Sequence, residues 1–154
     1  MNKAKSWDYK IFPFLFLLIG MAGVVAPYLS RHSVPGDLGD GRLNCYLLEH
    51  AFLVLSGKCA SFLSPPFFYP WINMVGLSDT HWGTAPIYAL FRWAGLSPER
   101  SFGDWFLVGF ILNYFSAYFV NRRFGLKPFG ASLGAFFFFF SLPVVAQDVH
   151  VQLL

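Results

Sequence analysis

The chain contains an uncharged apolar run, IFPFLFLLIGMAGVVAPYL, at residues 11–29. A helix needs about 20 apolar residues to cross the hydrocarbon core of a bilayer, and this run has that length. Lys3, Lys5 and Lys10 precede it, and basic residues also precede the apolar core of a secretory signal peptide. The run is longer than the roughly 7–15 residues of a signal core. We therefore predict a retained transmembrane anchor over 11–29.

The composition of the whole chain favours the same class of protein. Of its 154 residues, 56% are hydrophobic, 21% are aromatic and 12% are charged, whereas a soluble globular domain carries about 25% charged residues. So few charges cannot form the polar shell that a soluble protein of this length needs. The sequence also has no stripe of basic residues. We therefore expect contact with membrane lipids and none with nucleic acid.

Two further apolar segments lie in the second half of the chain. They predict spans over about 102–120 and 129–146, with a basic cluster between them at 122–127. Basic residues accumulate in cytoplasmic loops, so this cluster and the N-terminal lysines predict a cytoplasmic N-terminus and an outer loop over 30–101. The predicted fold is an all-α membrane protein, a single domain of residues 1–154 with three transmembrane helices.

The outer loop is expected to carry short helices at the membrane surface. An amphipathic pattern predicts one from Leu43 to Ser56, with Asn44 as a possible cap and Gly57 at its end. A second is predicted from Thr84 to Gly95, and at about 12 residues it is too short to span a bilayer. Between them, Ser64–Trp71 has too many prolines for a helix or a central strand, and its Trp and Tyr favour the headgroup zone.

The first of these helices also separates the two cysteines of the chain. Cys45 and Cys59 would lie at opposite ends of it, about 20 Å apart at the rise of an α-helix. A disulfide needs Cα atoms within about 7 Å of each other. No intramolecular disulfide is predicted.

A glycine-rich turn follows the first predicted span, with the sequence PGDLGDGRLN at residues 35–44. Its carboxylates, Asp37 and Asp40, could share a divalent metal ion, or one could act as a general base while the other tunes its pKa. Arg42 could bind a phosphate through two parallel hydrogen bonds. Each carboxylate also has an ordinary interpretation, Asp37 as a turn residue and Asp40 as a helix cap.

Elsewhere in the outer part of the chain, acidic residues stand beside histidines. The pairs are Glu49 with His50, Asp79 with His81, and Asp148 with His150. The tendency of polar residues to occupy loops explains most of their accumulation in the outer part of the chain, but it does not explain this local pairing. Taken singly, Glu49 and His50 could face water, and Asp79 could cap the following helix. The histidines lack the HxH or HxxxH spacing of a zinc site, so the one candidate cofactor is a divalent metal ion at the carboxylates of the turn.

Several stretches resemble the N-terminal part of the GT-C superfamily of membrane glycosyltransferases, and more narrowly a group of large, mostly uncharacterised bacterial membrane proteins of this type. They are Gly36–Asn44, Leu48–His50, Pro66–Pro70, Leu77–Asp79, Pro86–Leu90 and His150–Leu154. The resemblance covers nearly the whole chain. It implies a multi-pass protein of the bacterial cytoplasmic membrane, with the long loop in the periplasm or outside the cell.

The resemblance also implies transfer from a polyprenyl-phosphate sugar donor at the outer face of the membrane. In GT-C enzymes an acidic residue of the first outer loop is the catalytic base or binds the metal, and Asp37 and Asp40 match that position, with Asp40 preferred. Arg42 would bind the donor phosphate. The remaining candidate substrate-binding residues are Glu49, His50, Asp79, His81 and His150.

GT-C enzymes have many more spans than three, so the chain is expected to be an N-terminal fragment that is inactive alone. Gly130 and Gly134 form a GxxxG pair, and Asn113 lies in the middle of a predicted span. Both features favour packing against other helices, either within the chain or in further membrane helices or subunits. The alternative function is a non-enzymatic membrane subunit or scaffold whose outer loop docks other proteins.

Overall fold

The computed structural model describes residues 3–26, 35–36, 39–77 and 80–141, without the side chains of 3–10 and of Phe68. Regular structure in these ranges is helical throughout, which confirms the all-α prediction. The α-helices are α1 (Lys3–Gly20), α2 (Asp40–Leu55), α3 (Ala85–Trp93), α4 (Pro98–Arg123) and α5 (Pro128–Phe139). A π-helical segment, Met21–Val25, continues α1, and Pro66–Phe68 and Met74–Leu77 form short 3-10 helices.

Across the ranges that the structure describes, no helix combines the length and the apolar character needed to cross a membrane. The ends of two predicted spans, residues 27–29 and 142–146, lie outside those ranges. The predicted topology and orientation therefore stay predictions.

The chain forms two compact units. The first contains α1, α5 and α4 from residue 107 onward. In this unit α1 packs against α5 through aromatic rings, and Phe12 and Phe16 both contact the ring of Phe129, at centroid distances of 5.3 and 5.7 Å. Farther along α1, Gly20 allows the ring of Phe140 to approach the helix closely, because a Cβ at residue 20 would lie 2.3 Å from that ring. An aromatic core therefore holds the two helices together.

The small residues of α5 pack within this unit. Ala131 and Ala135 are fully buried, and a Cβ at Gly134 would lie only 2.8 Å from Nδ2 of Asn121 on α4. The same nitrogen donates a hydrogen bond to the carbonyl oxygen of Ala131 at 3.3 Å. One glycine of the GxxxG pair thus serves a contact inside the chain.

The second unit contains α2, the segment that follows it, α3 and residues 98–106 of α4. Its core is formed by side chains from each of these parts, among them Leu48, Val75, Tyr88 and Phe102, all at most 4% exposed. α2 ends as predicted, with Gly57 in the left-handed region at φ 71°. The second predicted helix is also confirmed as α3, which is followed by Gly95 at φ 88°.

The start of α2 differs from the sequence prediction. The helix begins at Asp40, with Gly39 in the N-cap position, so the assignment of Asn44 as a cap is wrong. Glycine disfavours helix interiors, and for that reason Gly41 looked like part of the turn. Instead it is a helical residue, and Asn44 lies buried in the second turn of α2.

Candidate functional site

Pro35 and Gly36, at the beginning of the glycine-rich turn, lie against the start of α2. Gly36 has φ 89°, a left-handed conformation that glycine adopts without a steric cost. A Cβ on Gly41 would lie 2.5 Å from the carbonyl oxygen of Pro35, and Pro35 is fully buried. No side chain can therefore stand at residue 41 unless the backbone moves. This contact fixes the direction in which the chain enters α2.

The first turn of α2 carries two of the candidate site residues. Asp40 is its first residue and is half-buried, and Arg42, two residues later, is exposed. Helix N-termini attract anions through their free N–H groups and the helix dipole. A carboxylate and a guanidinium therefore lie within one turn of a helix end that itself favours a phosphate. Asp37, the second candidate base, lies outside the described residues.

Glu49, also on α2, is bound to α3 on both of its carboxylate oxygens. Arg92 donates from Nε to Oε2 at 2.8 Å and from Nη2 to Oε1 at 3.0 Å. The hydroxyl of Tyr88 donates to Oε2 at 2.6 Å. The hydrogen bond to this carboxylate raises the pKa of Arg92, while burial, and next the acceptor Glu49, raise the pKa of Tyr88.

Arg92 has further partners that hold it in place. Its Nη1 donates to the carbonyl oxygen of Leu96, and its guanidinium carbon lies 5.0 Å from the centre of the Phe52 ring on α2. The side chains of Arg92 and Glu49 are only 19% and 21% exposed. The idea that Glu49 simply faces water is therefore wrong: it is half-buried and joins α2 to α3. Its substrate-binding role stays a prediction.

His81 is held by a residue far away in the sequence. Its Nε2 lies 2.8 Å from Oδ1 of Asn44, and because that oxygen only accepts, Nε2 carries the proton. The imidazole meets the Trp105 ring edge-on, at a centroid distance of 5.2 Å. Its carbonyl oxygen accepts hydrogen bonds from the N–H groups of Thr84 and Ala85 at the start of α3. His81 thus connects α2, α3 and α4 within the second unit.

His50 fixes the segment that leaves α2. Its Nε2 lies 2.8 Å from the carbonyl oxygen of Ser61 and donates to it, and the side chain is buried. His50 and His81 line the same small cavity, whose other lining residues are Leu47, Ala51, Phe62, Val75, Thr80 and Trp82. The sequence had paired each histidine with a neighbouring carboxylate, whereas the structure brings the two histidines to one cavity. Asp79 and His150 lie outside the described residues.

Cys45 and Cys59 are both free thiols. Burial, followed by the nearby charges of Glu99 and Glu49, raises the pKa of Cys45 to about 11. Because the thiolate is the reactive form, Cys45 is a weak nucleophile at neutral pH. Among the residues that the structure describes, no group of three or more His, Cys, Asp or Glu side chains could hold a metal ion.

Sequence reasoning missed the residues whose side chains bind Glu49 and His81 in the second unit. Arg92, Tyr88 and Trp105 were not among the candidate residues, and Asn44 was interpreted as a helix cap and as the last residue of the glycine-rich turn. The one available signal was weak: an acidic residue on one amphipathic helix and a basic residue on another.

No family model, curated protein or solved structure matches the chain.

Proposed function

We propose that this chain supplies the acidic outer-loop part of a glycosyltransferase site that uses a polyprenyl-phosphate sugar at the outer face of the bacterial cytoplasmic membrane. The observation that carries the proposal is the first turn of α2. There Asp40 and Arg42 stand at a helix end whose entry is fixed by the contact of Gly41 with Pro35. The proposal also includes the roles in sugar transfer that the GT-C resemblance implies for Asp37, Asp40 and Arg42.

The proposal also includes the membrane topology, with spans over about 11–29, 102–120 and 129–146 and the N-terminus in the cytoplasm. Exposed apolar side chains in the first unit support this topology. On α1, five large apolar residues are between 46% and 65% exposed: Ile11, Phe14, Leu15, Leu18 and Ile19. Phe137 and Phe138 on α5 are similarly exposed, at 64% and 71%. Contiguous apolar surface of this kind costs free energy in water and none in lipid.

In the proposed reaction, the carboxylate of Asp40 takes the proton from an acceptor hydroxyl. The acceptor oxygen then forms a bond to the anomeric carbon of the donor sugar, while the bond from that carbon to the phosphate oxygen breaks. The lipid phosphate leaves with both bonding electrons. Arg42 stabilises the negative charge on this leaving group. Asp37 is the alternative base or, with Asp40, a ligand of a divalent ion.

Arg42 offers a direct test of donor binding. Hydrogen bonds to charged groups contribute about 1.5–3 kcal/mol, so Arg42→Ala should weaken binding of glucosyl-phosphoryl-undecaprenol to the full chain by roughly 10-fold or more. Lys58→Ala is the matched control, since Lys58 is an exposed cation just beyond the other end of α2. Equal binding by wild type and Arg42→Ala would remove Arg42 from the donor site. An equal loss in both variants would indicate unspecific attraction of the lipid anion.

A second function, a non-enzymatic membrane subunit or scaffold, is supported by a different observation. Glu49 is bound on both oxygens, and His50 and His81 are buried and hydrogen-bonded inside the second unit. Polar groups that could have served a substrate thus serve the fold. Under this alternative the outer loop docks other proteins, and changes at Asp40 leave glycan transfer unaltered.

A further inference from the structure

The segment between α2 and α3 forms a closed loop with a fixed base. The N–H of Val75 donates to the carbonyl oxygen of Leu63 at 3.1 Å, and the N–H of Asn73 donates to Oγ of Ser64 at 3.0 Å. Val75 is buried. Residues 63–75, here called the aromatic loop, therefore begin and end at nearly the same point of the second unit.

The tip of the aromatic loop faces away from the core. The large side chains that the structure describes there are Phe67, Tyr69, Trp71 and Ile72, which are 62%, 87%, 72% and 75% exposed. Only Phe67 has an aromatic partner among the described contacts of the tip, the ring of Tyr46 at 5.6 Å. Burial of such side chains contributes about 25 cal/mol for each Å² of apolar surface removed from water. The tip is thus an exposed apolar surface on a hydrogen-bonded base.

The charge of this region indicates what covers the tip. No charged residue occurs from position 59 to position 78, and the tip itself combines Trp, Tyr and Phe with proline and isoleucine. Protein-docking surfaces are enriched in Arg as well as aromatics and have a polar rim. Trp and Tyr without charges, in contrast, match the boundary between lipid headgroups and acyl chains.

We propose that the tip of the aromatic loop inserts into the headgroup and acyl boundary of a lipid bilayer, as a membrane contact separate from the spans. Because the tip carries no charge, this insertion needs no anionic lipid. The contact holds the second unit against a lipid surface. It does not depend on the glycosyltransferase proposal, since a scaffold could use the same contact.

The test measures where the tip lies in a bilayer. The full chain, with Cys45→Ala and Cys59→Ser, carries a nitroxide at Tyr69→Cys and is reconstituted into phosphatidylcholine vesicles. Oxygen is concentrated in the acyl region, and a water-soluble nickel chelate is excluded from it, so the ratio of their collision rates reports depth. Lys58→Cys, labelled in the same way, is the control, because Lys58 is exposed and lies outside the loop. Ile72→Cys gives a second tip position if the first variant fails to fold.

We expect the oxygen-to-nickel ratio to be several-fold higher at residues 69 and 72 than at residue 58, and to stay the same when phosphatidylglycerol is added. Equal ratios at tip and control would mean that the tip lies in water and would overturn the proposal. Protection of the tip from both reagents would mean that protein covers it, which overturns it as well. Insertion that occurs only with phosphatidylglycerol would contradict the argument from charge.

Discussion

The two ends of α2 use polar residues in opposite ways. At its start, Arg42 is exposed and Asp40 is half-buried at a helix end that favours anions. Toward its other end, Glu49 is bound by Arg92 and Tyr88, and His50 is buried against the carbonyl oxygen of Ser61. One helix thus carries both polar groups that are at least partly exposed to solvent and polar groups that hold the fold. Polarity alone does not distinguish them.

The largest effect in this comparison is expected from Arg92→Ala. The change leaves the half-buried carboxylate of Glu49 without its counter-charge and with the Tyr88 hydroxyl as its remaining donor among the contacts described above, and loss of the partner of a buried charge costs about 3 kcal/mol of unfolding free energy. Chemical denaturation of the full chain in one detergent would measure it.

Arg100→Ala is the matched control, because it removes a pair with Asp104 four residues away whose arginine is 70% exposed. That pair should contribute only about 0.3–0.5 kcal/mol. Equal effects of the two changes would show that the Glu49 end of α2 does not hold the fold.

A smaller loss is expected from Gly41→Ala at the other end of the helix. The added methyl group would meet the carbonyl oxygen of Pro35 at 2.5 Å, and overpacking of this kind costs about 1–3 kcal/mol. Gly109→Ala on α4 is the control, since a Cβ there meets nothing within 4 Å, and it should be neutral or stabilise by up to about 1 kcal/mol. If Gly41→Ala also stabilised the chain, the turn would not be packed on the helix.

The hydrogen bond between Asn44 and His81 should contribute about 1 kcal/mol to the free energy of unfolding. Buried at 2.8 Å, it should appear as a coupling energy of this size in a double-mutant cycle of Asn44→Ala and His81→Ala. Thermal or chemical unfolding of the four proteins measures the cycle. Strictly additive effects would mean that the two side chains stabilise the second unit independently.

Features of the fold that depend on neighbouring residues could be predicted from the sequence. Gly57 and Gly95 mark the ends of α2 and α3, because a left-handed residue after a helix is a local requirement that glycine meets best. Pro86 lies in the first turn of α3, where its missing N–H costs nothing. These signals need no knowledge of the tertiary structure.

The partners of the polar residues could not be predicted in the same way. Asn44 and His81 are 37 residues apart, and Glu49 and Arg92 are 43 apart, so their pairing depends on which helix faces pack together. Gly41 was misjudged for a related reason. The close approach of Pro35 leaves no room for a side chain at residue 41, and no local sequence pattern shows this contact.

The most direct test of the central claim is the replacement Asp40→Asn, made in the native gene so that any other part of the site is supplied. Transfer of labelled sugar from the polyprenyl-phosphate donor to envelope glycan is measured in isolated membranes, together with the amount of the protein. The change removes the base and keeps the shape. General-base catalysis contributes about 10²–10⁴-fold, so transfer should fall at least 100-fold at an unchanged protein level. Unchanged transfer at the wild-type protein level would contradict the account and favour the scaffold function.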